Sequence, residues 1–207
     1  MTIHDNDIDN SCTDGATGAT SSYGFGLGFN WGGLTADFTV TSDLLQDPIG
    51  TITTNIVGTA NILEISKDIP SLRALLNITT DKCYENEEKG KPFREGDKLG
   101  GKDIYSASKA CSEILTKSYY QSFMRDLNVN IATARAGNII GGGDFGENRI
   151  VPDLIESVQK NATLNVRSPE SIRPWQHVLD VLNGYMLLMQ KTFENNGEFE
   201  SFKFAPN

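Results

Sequence analysis

The sequence predicts an α/β protein in which a parallel β-sheet is flanked by helices. Two short apolar runs, 74–78 and 129–134, are typical of parallel strands that are buried on both faces. Between them lie a polar loop, 84–104, and a stretch with helical periodicity. Strands that alternate with helices of ten or more residues favour β-α-β units, and their right-handed crossovers place helices on both faces of the sheet.

The remaining elements are predicted from apolar spacing and from glycine and proline breaks. The first helix is predicted over 51–65, where Ile52, Ile56 and Leu63 fit a helical spacing. Three glycines in a row, 141–143, are expected to interrupt the chain. The other predicted elements are helices over 106–125, 151–160 and 178–193 and strands over 164–167 and 202–204.

Composition excludes several classes of function. The net charge of −9 disfavours nucleic acid and anionic membranes as partners. Cys12, Cys83 and Cys111 show neither CxxC nor His-rich spacing, so we expect no metal site and no disulfide framework. Free thiols, and an N-terminus unlike a signal peptide, indicate the cytoplasm. Residues 1–41 are rich in Gly, Ser, Thr, Asp and Asn, and they are predicted to be irregular or poorly ordered.

Tyr105 and Lys109 form the strongest local signal. Residues four apart lie on the same face of a helix, so an ammonium group would lie one turn from a phenol. Such an ammonium group is expected to favour the phenolate and to lower the tyrosine pKa, which would make Tyr105 a candidate general base. The alternative is that both side chains are simply neighbours on a solvated helix.

A second signal, Thr80-Asp81-Lys82, follows the predicted strand 74–78. In open α/β sheets, ligands bind at the carboxyl ends of the strands. A hydroxyl, a carboxylate and an ammonium group in succession provide hydrogen bonds and a route for proton transfer. The alternative is an ordinary polar turn in which Asp81 and Lys82 face solvent.

Together these motifs resemble those of the extended short-chain dehydrogenase/reductases, the NAD-dependent sugar-nucleotide epimerases and dehydratases. Within that family the sequence is more similar to the group of 4,6-dehydratases that act on CDP-glucose. The similarity extends from about residue 42 to residue 207, and it is carried by the runs 80–86, 93–95, 99–101, 105–109, 134–144, 172–180 and 204–207.

The resemblance implies a fold, a cofactor and partners. It implies a partial Rossmann-like parallel sheet flanked by helices over 42–145, which would bind NAD. Residues 146–207 would form part of a small C-terminal substrate-binding region with returning Rossmann elements. The substrate would be a nucleotide sugar. A homodimer is an expectation by analogy with relatives.

The resemblance also implies catalytic roles. Thr80 would hydrogen-bond the reacting hydroxyl, and Tyr105 would be the base. Lys109 would be the electrostatic partner of Tyr105, and both would touch the cofactor. Asp81 and Lys82 would form the acid/base pair that eliminates water, a pair that a simple epimerase does not need.

Five residues are expected to bind the cofactor or the substrate, because of the same resemblance or because of their own charge. Asn55 and Ala136 would lie on the cofactor side, although Asn55 could instead cap a helix. Asn138 would contact the substrate phosphates or sugar. Arg149 and Arg173 are the best candidates for the diphosphate, because guanidinium groups bind phosphate oxygens bidentately. Arg149 could equally be a surface arginine.

The implied reaction is an internal redox cycle. CDP-glucose would be oxidised at carbon 4, would lose water across carbons 5 and 6, and would be reduced at carbon 6, with NAD regenerated as a bound catalyst. An epimerase or reductase of the same family is the first alternative. A non-catalytic fragment is the second.

One part of the family pattern is missing. The family begins with a strand and a Gly-rich turn that holds the pyrophosphate of NAD. Residues 24–28 are glycine-rich but follow a polar tract rather than an apolar strand, which is a weak signal. The sequence is therefore interpreted as an internal piece of the enzyme.

Overall fold

The computed structural model describes residues 29–31, 34–36, 47–86, 90–144, 149–194 and 198–206. In chain order the elements are β1 (Phe29–Trp31), β2 (Leu34–Ala36), α1 (Pro48–Ile52), α2 (Gly58–Ser66), β3 (Ala74–Thr80), α3 (Ile104–Tyr119), β4 (Asn130–Ala136), β5 (Ile139–Ile140), α4 (Ile150–Gln159), β6 (Gln176–His177), α5 (Val178–Glu194) and β7 (Glu200–Phe204). Two π-helical segments, Thr53–Val57 and Tyr120–Met124, join α1 to α2 and extend α3, and a 3-10 turn, Asp81–Cys83, follows β3.

The main sheet contains three parallel strands in the order β3-β4-β7. Its register aligns the ends of the strands, because Thr80 pairs with Ala136 and Ala136 pairs with Phe204. These three residues define the carboxyl edge of the sheet. The predicted parallel α/β sheet is therefore confirmed.

The two faces of this sheet differ chemically, because side chains alternate along each strand. The face towards α5 is apolar, and Ile78, Ala134 and Phe202 pack there with Val181 and Leu188. The opposite face carries polar side chains that hydrogen-bond to α3, namely Asn77, Thr79, Thr133 and Arg135. Helices on both sides leave β4 buried along nearly its whole length.

The first helix begins earlier than the predicted residue 51. The side chain of Asp47 accepts a hydrogen bond from the backbone nitrogen of Gly50 at 2.8 Å, and Pro48 occupies the first helical position. Both residue types are favoured at these positions, because Asp satisfies a free N–H group and Pro has none to satisfy.

The predicted strand 164–167 is wrong. Among the described residues no segment pairs with it, and a strand requires a hydrogen-bonded neighbour. Val166 is exposed there. Two short strands that the sequence did not predict, β5 and β6, pair in parallel instead. Elements of two residues are too short to show a periodicity.

The segment 1–41 was predicted to be irregular, and the structure departs from this at β1 and β2. These strands pair with each other in the antiparallel direction, with Phe29 opposite Ala36. The glycine-rich residues 24–28 and Cys12 lie outside the described residues. The division between 42–145 and 146–207 stays a prediction.

The structure also answers one question about membranes. Within the described ranges, each helix is too short or too polar to cross a bilayer.

Candidate active site

The chain turns sharply after β3, and the side chains of Thr80, Asp81 and Lys82 therefore differ in burial. The hydroxyl of buried Thr80 accepts a hydrogen bond from the backbone nitrogen of Lys82 at 3.3 Å, which closes the 3-10 turn. The same hydroxyl lies 3.4 Å from Oδ1 of Asp81. The turn leaves Asp81 half-buried and Lys82 exposed.

Helix α3 begins at Ile104, so Tyr105 lies in its first turn and faces the turn after β3. Asp103 caps the helix by accepting hydrogen bonds from the backbone nitrogen and the hydroxyl of Ser106, at 2.9 and 2.7 Å. Burial tends to raise the pKa of Asp103, but the hydrogen bonds from Ser106 outweigh burial and lower it. A Cβ atom on Gly101 would lie 2.3 Å from the backbone nitrogen of Ala107, so glycine is required beside this first turn.

Tyr105 interacts with the residues of the β3 turn. The ammonium nitrogen of Lys82 is 5.7 Å from the centre of the Tyr105 ring. Burial raises the pKa of Tyr105, while a hydrogen bond with Thr80 opposes this change. The charge of Asp81 acts in the same direction as burial, and that of Arg149 acts against it. The site therefore holds Tyr105 in the neutral, hydrogen-bonded form.

The predicted decrease in the pKa of Tyr105 is wrong. An ammonium group at Lys109 was expected to lower the pKa of the phenol, whereas burial raises it. Lys109 is itself half-buried one turn further along α3, and burial lowers its pKa while the charge of Glu113 opposes this. Among the described residues, the Lys109 ammonium makes no hydrogen bond or ion pair, so it remains available as a donor.

Asp81 is the carboxylate whose position best suits proton transfer. Burial raises its pKa, and the hydrogen bond with Thr80 and the charges of Lys82, Lys203 and Arg173 oppose this change. Because burial outweighs these partners, the protonated form of Asp81 is more accessible than that of an exposed aspartate.

The pairing of β5 with β6 brings Asn138 and Arg173, which were predicted to bind the substrate, towards the carboxyl edge of the sheet. The backbone nitrogen of Gln176 donates to the carbonyl of Asn138 at 2.9 Å. A Cβ atom on Gly137 would lie 2.5 Å from Cγ of Pro174, so glycine allows the two segments to touch. Arg173 precedes this contact and is exposed, and its charge reaches Asp81.

Arg149 lies immediately before α4 and is partly exposed. Its Nη1 atom donates to both carboxylate oxygens of Asp144, each at 3.1 Å. Its side chain is 42% exposed in this pair, so the alternative of a surface arginine stays open. Its charge also acts on Tyr105, which associates it with the carboxyl edge.

Asn55 contacts the first turns of α3. Its amide donates to the hydroxyl of Ser108 at 2.9 Å, and that hydroxyl donates to the carbonyl of Tyr105 at 2.8 Å. The capping alternative is wrong, because Asn55 lies inside the continuous helical run from Pro48 to Ser66. Asn55 thus links the first helix to the turn that carries Tyr105.

Ala136 is the last residue of β4 and is buried beside Thr80 in the sheet. His177 has a structural contact, since its Nδ1 atom accepts from the backbone nitrogen of Leu179 at the start of α5. Trp175 is partly exposed. In the part of the chain that the structure describes, no cluster of His, Cys, Asp or Glu is arranged to hold a metal ion.

Sequence reasoning missed a buried ion pair near the site. Arg135 on β4 donates through Nη2 to Oε2 of Glu113 on α3 at 2.9 Å. A charged residue directly after the apolar run 129–134 was the available signal, because such a residue needs a partner when it is buried.

The comparisons with known proteins agree with this geometry. The family model for the NAD dependent epimerase/dehydratase family matches residues 36–200. The chain belongs to this family. The resemblance inferred from the motifs is thereby confirmed.

Relatives within the epimerase/dehydratase family include several 4,6-dehydratases. CDP-glucose 4,6-dehydratase of Salmonella typhimurium is 41% identical over 78% of this chain and 46% of its own length. dTDP-D-glucose 4,6-dehydratase of Dictyostelium discoideum is 26% identical over 66% of this chain and 33% of its own length. The chain therefore spans less than half the length of these relatives.

Solved structures of the same family share the fold. The dTDP-glucose 4,6-dehydratase of Bacillus anthracis, solved in complex with NAD, superposes with a TM-score of 0.67 at 25% identity and covers 78% of this chain and 49% of that one. UDP-glucuronic acid 4-epimerase of Bacillus cereus gives a TM-score of 0.65 at 20% identity, covering 75% and 47%. These matches confirm the Rossmann-like fold class.

Proposed function

We propose that this chain supplies the catalytic groups of an NAD-dependent 4,6-dehydratase whose substrate is CDP-glucose. The observation that carries the proposal is the convergence of Thr80, Asp81, Lys82 and Tyr105 at the carboxyl edge of the sheet. The relative that is 41% identical and is named a CDP-glucose 4,6-dehydratase supports the choice of substrate.

The residues at this edge fit NAD as the cofactor. Lys109 and Tyr105 offer an ammonium group, without a partner among the described residues, and a hydroxyl on one face of α3, and both donors suit ribose hydroxyls. The small side chain of Ala136 leaves room for the cofactor at the end of β4. Asn55 hydrogen-bonds to Ser108 and so supports the first turns of α3. Held by these residues, NAD would supply a hydride acceptor for the oxidation at carbon 4 and the hydride for the reduction at carbon 6.

In the oxidation step Tyr105 takes the proton of the carbon 4 hydroxyl. Thr80, which already hydrogen-bonds with the phenol, is positioned to bind the same hydroxyl. The raised pKa of Tyr105 means that the phenolate needs additional positive charge, and Lys82 over the ring and Arg149 nearby are the sources within this chain.

In the elimination step the ketone at carbon 4 acidifies the proton at carbon 5. Asp81 donates a proton to the leaving hydroxyl at carbon 6, a role that suits a carboxyl group with a raised pKa. Lys82 is the second member of the acid/base pair: as a neutral amine it takes the proton from carbon 5, and it returns that proton to carbon 5 when carbon 6 is reduced. An epimerase has no use for this pair, so its presence favours dehydration.

Substrate binding requires local positive charge, because the net charge of the chain is −9 and the substrate carries a diphosphate. Arg173 and Arg149 would bind the phosphate oxygens, and Asn138 would contact the phosphates or sugar. For Arg149 the phosphate would replace the carboxylate of Asp144 as its partner. The homodimer and the cytoplasmic location stay predictions.

The test is an incubation of the chain with NAD and CDP-glucose, followed by mass spectrometry for loss of water. UDP-glucose and dTDP-glucose serve as competing substrates. Tyr105→Phe should abolish product formation, whereas Tyr119→Phe, on the same helix but paired with Glu64, should retain it. Equal activity of the two variants, isomerisation without loss of water, or no product from any of the three sugars contradicts the proposal.

A further inference from the structure

The ion pair between Glu113 and Arg135 is almost completely buried. The side chains are 1% and 5% exposed, and Nη2 of Arg135 lies 2.9 Å from Oε2 of Glu113. Arg135 also donates through Nη1 to the hydroxyl of Tyr84 at 3.2 Å and to the carbonyl of Glu95 at 2.9 Å. Burial works against the charge of Arg135, but the hydrogen bonds with Glu113 and Tyr84 outweigh burial and raise its pKa.

The carboxylate of Glu113 also binds both strands that end at the active site. The hydroxyl of Thr79 on β3 donates to Oε1, and the hydroxyl of Thr133 on β4 donates to Oε2 at 2.7 Å. Thr79 immediately precedes Thr80, and Arg135 immediately precedes Ala136. One side chain of α3 is thus connected to both strands, next to the last residue of each.

The same helix face carries the catalytic groups. Tyr105, Lys109 and Glu113 follow one another at intervals of four residues, so they lie in a row along α3. The ammonium group of Lys109 has no hydrogen bond or ion pair with the described residues, and the charge of Glu113 acts on it from the next turn.

We propose that Glu113 is a positioning residue for the catalytic helix. Its buried ion pair with Arg135 fixes α3 against the ends of β3 and β4, and its carboxylate provides Lys109 with a counter-charge one turn away. The arrangement sets the place of Tyr105 relative to Thr80. The catalytic meaning of this role rests on the proposed function, but the arrangement itself can be measured without turnover.

The experiment is an NMR titration of the Lys109 side chain in the full chain, with the signal assigned from its loss in Lys109→Arg. Glu113→Gln keeps the shape of the side chain and removes the counter-charge. The titration midpoint of Lys109 should then fall by on the order of one pH unit. Glu156→Gln is the matched control, because it removes an exposed glutamate that pairs with Lys160 at the same spacing on α4.

A second variant covers the case in which Glu113→Gln does not fold. Glu113→Gln/Arg135→Met removes both charges, so no unpaired ion is left in the interior. The Lys109 midpoint should fall in this variant as well. A midpoint equal to that of the wild type in either folded variant overturns the proposal. Because the titration needs neither NAD nor a nucleotide sugar, its failure is distinct from a failure of the proposed function.

Discussion

Substitution of Glu113 by Gln should destabilise the protein strongly, because it leaves the guanidinium of Arg135 without its carboxylate. Arg135 is 4% exposed, so water cannot replace the lost partner. Breaking a buried ion pair by removing one partner costs about 3–5 kcal/mol. The total free energy of unfolding of a domain is about 5–15 kcal/mol, so the variant should keep only part of its stability.

Urea unfolding followed by circular dichroism measures this loss. With a dependence on denaturant of about 2 kcal/mol per molar, the midpoint should fall by roughly 1.5–2.5 M. The double variant Glu113→Gln/Arg135→Met should be more stable than Glu113→Gln alone, because no charge is left unpaired. Glu156→Gln should leave the midpoint unchanged, since its ion pair with Lys160 is exposed.

Two results would refute this reasoning. A loss below about 1 kcal/mol for Glu113→Gln would place the buried pair in the range of exposed ion pairs. A double variant that is less stable than the single one would show that the pair contributes through packing rather than through charge balance.

Three further predictions concern other parts of the molecule. The pKa of Asp81 is raised above 3.8, so the folded state favours its protonated form and the wild type loses stability as pH rises through that pKa. Asp81→Asn should therefore gain in urea midpoint relative to wild type between about pH 4 and about pH 7. Exposed Cys111 should react with iodoacetamide in the folded protein, whereas Cys83 should react only after unfolding, because burial raises its pKa to about 12. Gly184→Ala should cost about 1–3 kcal/mol in urea unfolding, because its Cβ atom would lie 2.5 Å from the ring of Phe204.

Each of these predictions has an opposite outcome that would contradict it. A stability difference for Asp81→Asn that shrinks as pH rises would mean that the carboxylate is stabilised rather than desolvated. If peptide mass spectrometry finds Cys83 labelled as fast as Cys111, then Cys83 is accessible to the reagent in the folded protein. Gly184→Ala should be compared with Gly142→Ala, where a Cβ atom meets open space, and equal stabilities would contradict the close packing on α5.

The parts of the site that could be predicted from sequence are local ones. Tyr105 and Lys109 could be paired because a helix fixes the direction of residues four apart. Thr80 could be placed at a strand end because a short apolar run stops just before it. The fold class followed from the alternation of such runs with helices, although the two-residue strands β5 and β6 left no pattern to detect.

The sequence by itself determined which chemical groups are present and which of them are neighbours along a helix or a strand. Only the tertiary structure decided how deeply each group is buried, and burial sets its charge. It raised the pKa of Tyr105 where the helical spacing predicted a decrease, and it raised that of Asp81 despite nearby cations. It also joined Glu113 to Arg135, 22 residues apart, because charges removed from water are stable only beside a partner that folding brings to them.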